Sequence, residues 1–178
     1  MTTIKRRQKT NRLSRYDYSA PGYYFVTVCT KNRAMIFGDV TDGQMTLNEY
    51  GHKVQECWMK LPNHYPHIEL DEYIVMPNHF HGIVRICDND VGARHASPLR
   101  LPLGIMIGGF KSAVTKRINQ LRRTAGQSVW QRNFHDRIIR NEEELYETRK
   151  YIRENPKKWE LDPENIEKRT SVETMTPS

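Results

Sequence analysis

The chain has 178 residues, 37% of them apolar and 28% charged, a length and balance that suit one domain with tails and a sizeable buried core. No apolar run approaches the roughly 18 residues of a bilayer span, and none follows the basic start MTTIKRRQKTNRLSRYDYSA, so neither a membrane segment nor a secretory signal is expected. A cytoplasmic location is the expectation. The net charge of +7 is unevenly spread: +7 over residues 1–33, −6 over 34–90, +9 over 91–140 and −3 over 141–178. Two basic blocks around an acidic one point to a phosphate backbone as partner.

In chain order, residues 1–20 read as a basic, polar arm. A β-branched and aromatic run, YYFVTVCT from Tyr23 to Thr30, predicts a strand. Asp39 to Gly43 is rich in turn residues. From about Leu47 to Leu61, Val54, Trp58 and Leu61 recur on one helical face, and Pro62 with Asn63 should stop that helix. Ile68 to Met76 and His79 to Ile86 are two strands joined across Pro77-Asn78, an antiparallel hairpin.

Residues 87–103 form a polar loop with Gly and Pro. Ile105 to Leu121 is the next helix, with Met106, Phe110, Val114 and Ile118 on one side. Val129 to Ile139 predicts an irregular strand. Three glutamates open a helix over 142–154, where negative charge suits the N-terminus, and Pro156 ends it. Residues 161–178 are expected to be a polar, disordered tail. The order β-α-β-β-α-β plus a helix predicts an α+β, ferredoxin-like split βαβ domain over residues 21–160, with an antiparallel sheet, helices on one face and a C-terminal catalytic helix. Fold alone does not fix function.

The chemistry concentrates in Pro77-Asn78-His79-Phe80-His81. Side chains alternate along a strand, so His79 and His81 share one face and Phe80 anchors the other. Two imidazoles so placed can share one cation. In the last helix Tyr151 and Asn155 are four apart and lie on one face. A phenol, with a pKa near 10, is a poor nucleophile unless a nearby cation helps. An amide oxygen of Asn155 can complete a site suited to Mg²⁺ or Mn²⁺. Tyr146 is a rival nucleophile, but five helical residues turn it about 140° from Tyr151. Cys29, Cys57 and Cys87 are odd in number and form no CxxC pair; reduced thiols rather than a zinc site are expected.

The segments RYDYSAPGYYFVTVCTKNR, YIVMPNHFHGIV and VWQRNFHDRIIRNEEELYETRKYIRENPKKW together resemble the REP-associated tyrosine transposases, relatives of the insertion-sequence transposases. The resemblance runs from about Arg15 to Trp159 with the three blocks in family order. It implies that His79 and His81 bind metal, that Tyr151 is the nucleophile, and that Asn155 stands where relatives complete the metal site with Gln or Asn. It also implies cleavage of single-stranded DNA at hairpin-forming repeats through a 5′-phosphotyrosine, and an active monomer or homodimer.

For DNA contacts the basic residues offer Lys5, Arg6, Arg7, Lys9, Arg12 and Arg15 in the arm, Lys111, Lys116 and Arg117 in the second helix, and Arg132, Arg137 and Arg140 before the last one. His52, His64, His67, His95 and His135 read as surface or satisfied polar residues, with His135 the one nearest the proposed site. Two other functions remain open on these residues. One is a non-catalytic nucleic-acid binder with a ferredoxin-like sheet, against which stands the absence of the aromatic RNA-binding signature. The other is a metal-dependent nuclease that uses water and leaves Tyr151 idle.

Overall fold

The computed structural model describes residues 16–88, 101–161 and 165. The elements are β1 (Gly22–Cys29), β2 (Gly38–Thr41), β3 (Gln44–Leu47), α1 (Glu49–Met59), the short α2 (Leu61–His64), β4 (Ile68–Met76), β5 (His79–Ile86), α3 (Leu103–Leu121), β6 (His135–Ile139) and α4 (Glu142–Glu154). A 3₁₀ segment, Pro156–Leu161, follows α4. The fold is mixed α+β: β4, β5, β1 and β6 form one sheet in that order, with every neighbouring pair antiparallel.

The two faces of the sheet divide the labour. Tyr24, Val26 and Val28 of β1 and Phe80, Val84 and Ile86 of β5 point into the main core against α1 and α3. The expected helical faces are the buried ones: Val54, Trp58 and Leu61 on one side, Met106, Phe110, Val114 and Ile118 on the other. Phe80 meets Trp58 at a ring separation of 4.6 Å, and fully burying such a side chain is worth about 1.5–3 kcal/mol. That anchor matters for the site, because a one-residue slip of β5 would turn its imidazoles into the core. Gly82, between them and Trp58, has no room for a methyl group: a Cβ there would lie 2.6 Å from the Trp58 ring.

The opposite face is covered by α4. Leu145 and Ile152 pack with Ile83 and Ile139, and Tyr23, Phe25 and Ile74 lie against them. So α1 and α3 share one face while the tyrosine-bearing helix takes the other. Asn141 caps α4 by accepting from Glu144 N–H at 2.8 Å, and Glu144 in turn accepts from Arg140 N–H at 3.0 Å.

Several boundaries differ from the sequence expectation. The turn-rich 39–43 lies within a hairpin, β2–β3, whose Asp42 and Gly43 both have positive φ, as a two-residue primed turn requires. Pro62 does not stop the first helix dead; it sits in the first turn of α2, where a missing N–H costs little. The strand expected over 129–139 is regular only from His135, because the carbonyls of Gln131, Arg132 and Asn133 receive Lys111 Nζ instead of a ladder partner. The packed fold also begins before residue 21, with Tyr16 and Tyr18 against the core and Leu103 N–H donating to Tyr18 O at 3.0 Å. Most of the expected tail lies outside the described residues; Asn165 is buried and donates to Trp159 O at 3.0 Å. Among the described residues no helix is long and apolar enough to cross a membrane.

Candidate active site

The HxH pair lies on the α4 side of β5, as the alternation of side chains requires. His79 and His81 are both buried, with ring centroids 4.5 Å apart. Each imidazole is held through Nδ1. Asn78 Oδ1 lies 2.9 Å from His79 Nδ1, and because the Asn78 amide nitrogen donates to Arg33 O, the ring nitrogen is the donor. His79 therefore carries a proton on Nδ1, which leaves Nε2 as the nitrogen turned to a ligand. His81 Nδ1 lies 2.8 Å from Thr27 Oγ1 on the neighbouring strand, where Thr27 and His81 are register partners. Burial, and then the neighbouring His79, push the His81 pKa well below its ordinary value, so this imidazole is neutral.

Tyr151 comes to the pair from above. Its hydroxyl is 3.4 Å from His81 Nε2, and its ring stands edge-on to Phe25, which stacks on His81 at 5.3 Å. The residue stays 43% exposed, so the site is open to solvent on the Tyr151 side. Asn155 follows one turn later and is buried where α4 gives way to the 3₁₀ segment, whose Trp159 lies 5.9 Å from His79. Tyr146, the rival, is 59% exposed on another face of α4.

Comparison with known proteins places this arrangement. No family model matches the chain. It is 35% identical over 167 residues, 87% of this chain and 91% of the relative, to an uncharacterized protein of Haemophilus influenzae. It is 24% identical over 152 residues, 81% of this chain and 75% of the relative, to a protein of the same organism named "Putative REP-associated tyrosine transposase". A solved REP-associated tyrosine transposase, bound to a REP hairpin, superposes with a TM-score of 0.61 at 19% identity, over 94% of this chain and 89% of that one. The likeness gives this chain the fold of a REP-associated tyrosine transposase.

A divalent ion at this site would need a donor set that these residues can supply. Two imidazoles, with Nδ1 engaged in each, are suited to offer Nε2, and an amide oxygen is a hard ligand compatible with Mg²⁺ or Mn²⁺. Among the described residues no group of three or more His, Cys, Asp or Glu side chains is placed to hold a metal. The amide oxygen of Asn155, buried at the end of α4, is a donor of another residue type. The set fits.

The basic residues divide by what they already hold. Lys5, Arg6, Arg7, Lys9, Arg12 and Arg15 lie outside the described residues. Lys111 spends its ammonium on three carbonyls at 2.7, 3.0 and 3.3 Å, and its burial lowers its pKa. Arg117 pairs with Glu56 at 3.0 Å and Arg140 with Glu144 at 3.6 Å. Arg137 donates to Thr148 Oγ1 at 2.7 Å and lies over the Phe25 ring. Lys116 and Arg132 are exposed. His135 sits opposite Thr27 in register, two strands from His81, and is exposed. Thr27 and Asn78 were not evident as site residues in the sequence, although each neighbours a recognisable element: a strand end and the Pro-Asn turn.

Proposed function

We propose that this protein is a REP-associated tyrosine transposase, a metal-dependent single-stranded DNA endonuclease and strand transferase that works at hairpin-forming repeats through a 5′-phosphotyrosine intermediate. The observation that carries the reading is the approach of the Tyr151 hydroxyl to His81 Nε2, at 3.4 Å, within one chain. The solved relative is bound to a REP hairpin, which supports hairpin DNA as the substrate class. A ferredoxin-like description of the fold accompanies this reading, supported by the β4-β5-β1-β6 order with α1 in the first crossover and α3 in the second.

In the reaction, the phenol oxygen of Tyr151 attacks the scissile phosphorus as its proton is lost. The bond from phosphorus to the 3′ oxygen breaks, and that oxygen takes up a proton to leave as a 3′ hydroxyl. The 5′ phosphate stays on Tyr151, so the phosphodiester energy is conserved and no nucleotide is consumed. Attack by another 3′ hydroxyl reverses the step and joins strands. His79, His81 and Asn155 would hold the Mg²⁺ or Mn²⁺, which when bound neutralises charge on the scissile phosphate. Phe80, seated in the core, and the hydrogen bonds with Thr27 and Asn78 keep the imidazoles still; α4 presents the phenol in line. Because Tyr151 meets His81 of its own chain, the reading favours a monomer as the smallest active form.

The test is incubation of the protein with an end-labelled single-stranded hairpin repeat and Mn²⁺. A denaturant-resistant protein–DNA adduct that disappears with chelator is the expected result. Tight hairpin binding with neither adduct nor cleavage would instead favour a non-catalytic binding role.

A further inference from the structure

The strand β4 carries an irregularity that lies directly under the tyrosine helix. Leu70 pairs with Val84 and Tyr73 with Gly82, so Asp71 and Glu72 together stand opposite the single residue Ile83. This is a β-bulge, and it changes which way side chains point. Ile68 and Leu70 face the main core before it, and Tyr73 and Val75 face the same core after it. The two acids between them are consecutive, yet both are turned away from that core, toward α4.

There they meet arginines one helical turn apart. Asp71 takes a two-pronged contact from Arg149, Nε to Oδ1 at 2.9 Å and Nη2 to Oδ2 at 2.5 Å. Glu72 faces Arg153 at 3.7 Å. The Asp71 carboxylate is only 16% exposed, and a forked arginine contact fixes direction as well as distance. Tyr151 projects from the far side of α4, roughly 160° round from both arginines. At the other edge of the sheet, Arg137 of β6 donates to Thr148 of the same helix. So α4 is held from both edge strands, and the Asp71 contact sets its rotation on the flank opposite the nucleophile.

That rotation controls the chemistry by leverage. A phenol oxygen stands roughly 8 Å from its helix axis, so a turn of about 10° displaces it by more than an ångström. A misplacement of about 1 Å can cost on the order of 100-fold in rate. We propose that Asp71 is a positioning residue for strand cleavage, acting through Arg149 to hold Tyr151 in attacking position over His81. The inference rests on the reading of Tyr151 as the nucleophile.

Three proteins test it: Asp71→Asn, the exchanged pair Asp71→Arg with Arg149→Asp, and the unaltered chain. Asp71→Asn should form the adduct about 10- to 100-fold more slowly while binding the hairpin within about twofold of the unaltered protein. The exchanged pair should recover most of the lost rate. Without DNA, amide exchange over residues 142–154 should quicken in Asp71→Asn while β1 and β5 stay protected. Adduct formation at the original rate in Asp71→Asn, or a parallel fall in hairpin affinity that the exchanged pair does not relieve, overturns the proposal. Should the unaltered chain form no adduct, the nucleophile reading fails, and the exchange measurement alone decides: unchanged protection of α4 in Asp71→Asn then refutes the clamp.

Discussion

The Tyr151 hydroxyl and His81 Nε2, 70 residues apart in the chain, stand 3.4 Å from each other where α4 crosses the sheet. Nothing local brings them together. β5 supplies the imidazole by alternation, Phe80 fixes the register of β5 from the other face, and the Leu145 and Ile152 side of α4 seats the helix over Ile83. Tyr151 stays exposed at the margin of that interface.

Thr27 is the hydrogen-bond partner of His81 Nδ1, so its hydroxyl sets the orientation of the ring whose Nε2 faces Tyr151. Thr27→Val keeps the β-branched shape and removes only that bond. Mn²⁺ affinity, measured by calorimetry, is expected to fall about 10- to 100-fold. Stability should fall by only about 0.5–1.5 kcal/mol in urea titrations. Thr27→Ser, which keeps the hydroxyl, should bind the ion nearly as the original does.

The Asp71 contact gives the fold a specific acid sensitivity. The hydrogen bonds from Arg149, against some desolvation, hold the Asp71 carboxyl below its usual value of 3.8, with Arg153 also facing it and Glu72 donating its N–H. The folded chain therefore binds this proton less readily than the unfolded one. Ionised Asp71 contributes stability above the ordinary carboxyl range, and the contribution disappears as pH falls through the lowered folded value. The gap in urea midpoint between the original and Asp71→Asn should be full above the ordinary carboxyl range and close as pH falls through the lowered folded value. A gap that persists into strong acid would mean that the charge is not what stabilises.

Lys111 and Arg132 look alike in sequence and should behave differently. Lys111 ties α3 to the 131–133 carbonyls, so Lys111→Gln is expected to lower the melting temperature and leave DNA affinity nearly unchanged. Arg132 is exposed beside it, and Arg132→Gln should keep the melting temperature. That variant should weaken single-strand binding and reduce the slope of log affinity against log salt by about 0.7. Filter binding over a salt series, with melting curves, checks both.

Much of this was legible in the chain. The helical faces of α1 and α3 were, because long apolar periodicity has one physical solution; so were the hairpin across Pro77-Asn78 and the shared face of His79 and His81. The β2–β3 hairpin was not, since its strands are four residues each and largely polar, although Asp42-Gly43 carries the turn signal. The β4 bulge left a trace that alternation alone overlooks: Ile68 and Leu70 fall out of step with Tyr73 and Val75, with two acids between. The long-range ion pairs of the arginines could not be read, because Glu56 lies 61 residues from Arg117 and Asp71 lies 78 from Arg149. The roles of Thr27 and Asn78 depend in the same way on what lies across a strand or turn.

The central claim is that one phenol carries the DNA strand. Tyr151→Phe deletes a single oxygen from a half-exposed ring and should leave the fold intact. With a labelled single-stranded hairpin and Mn²⁺, the original chain is expected to give a covalent adduct that peptide mapping assigns to Tyr151, and the variant is expected to bind the hairpin but give no adduct and no cut. Cleavage by Tyr151→Phe at the original rate, or an adduct mapped to Tyr146, would contradict the account.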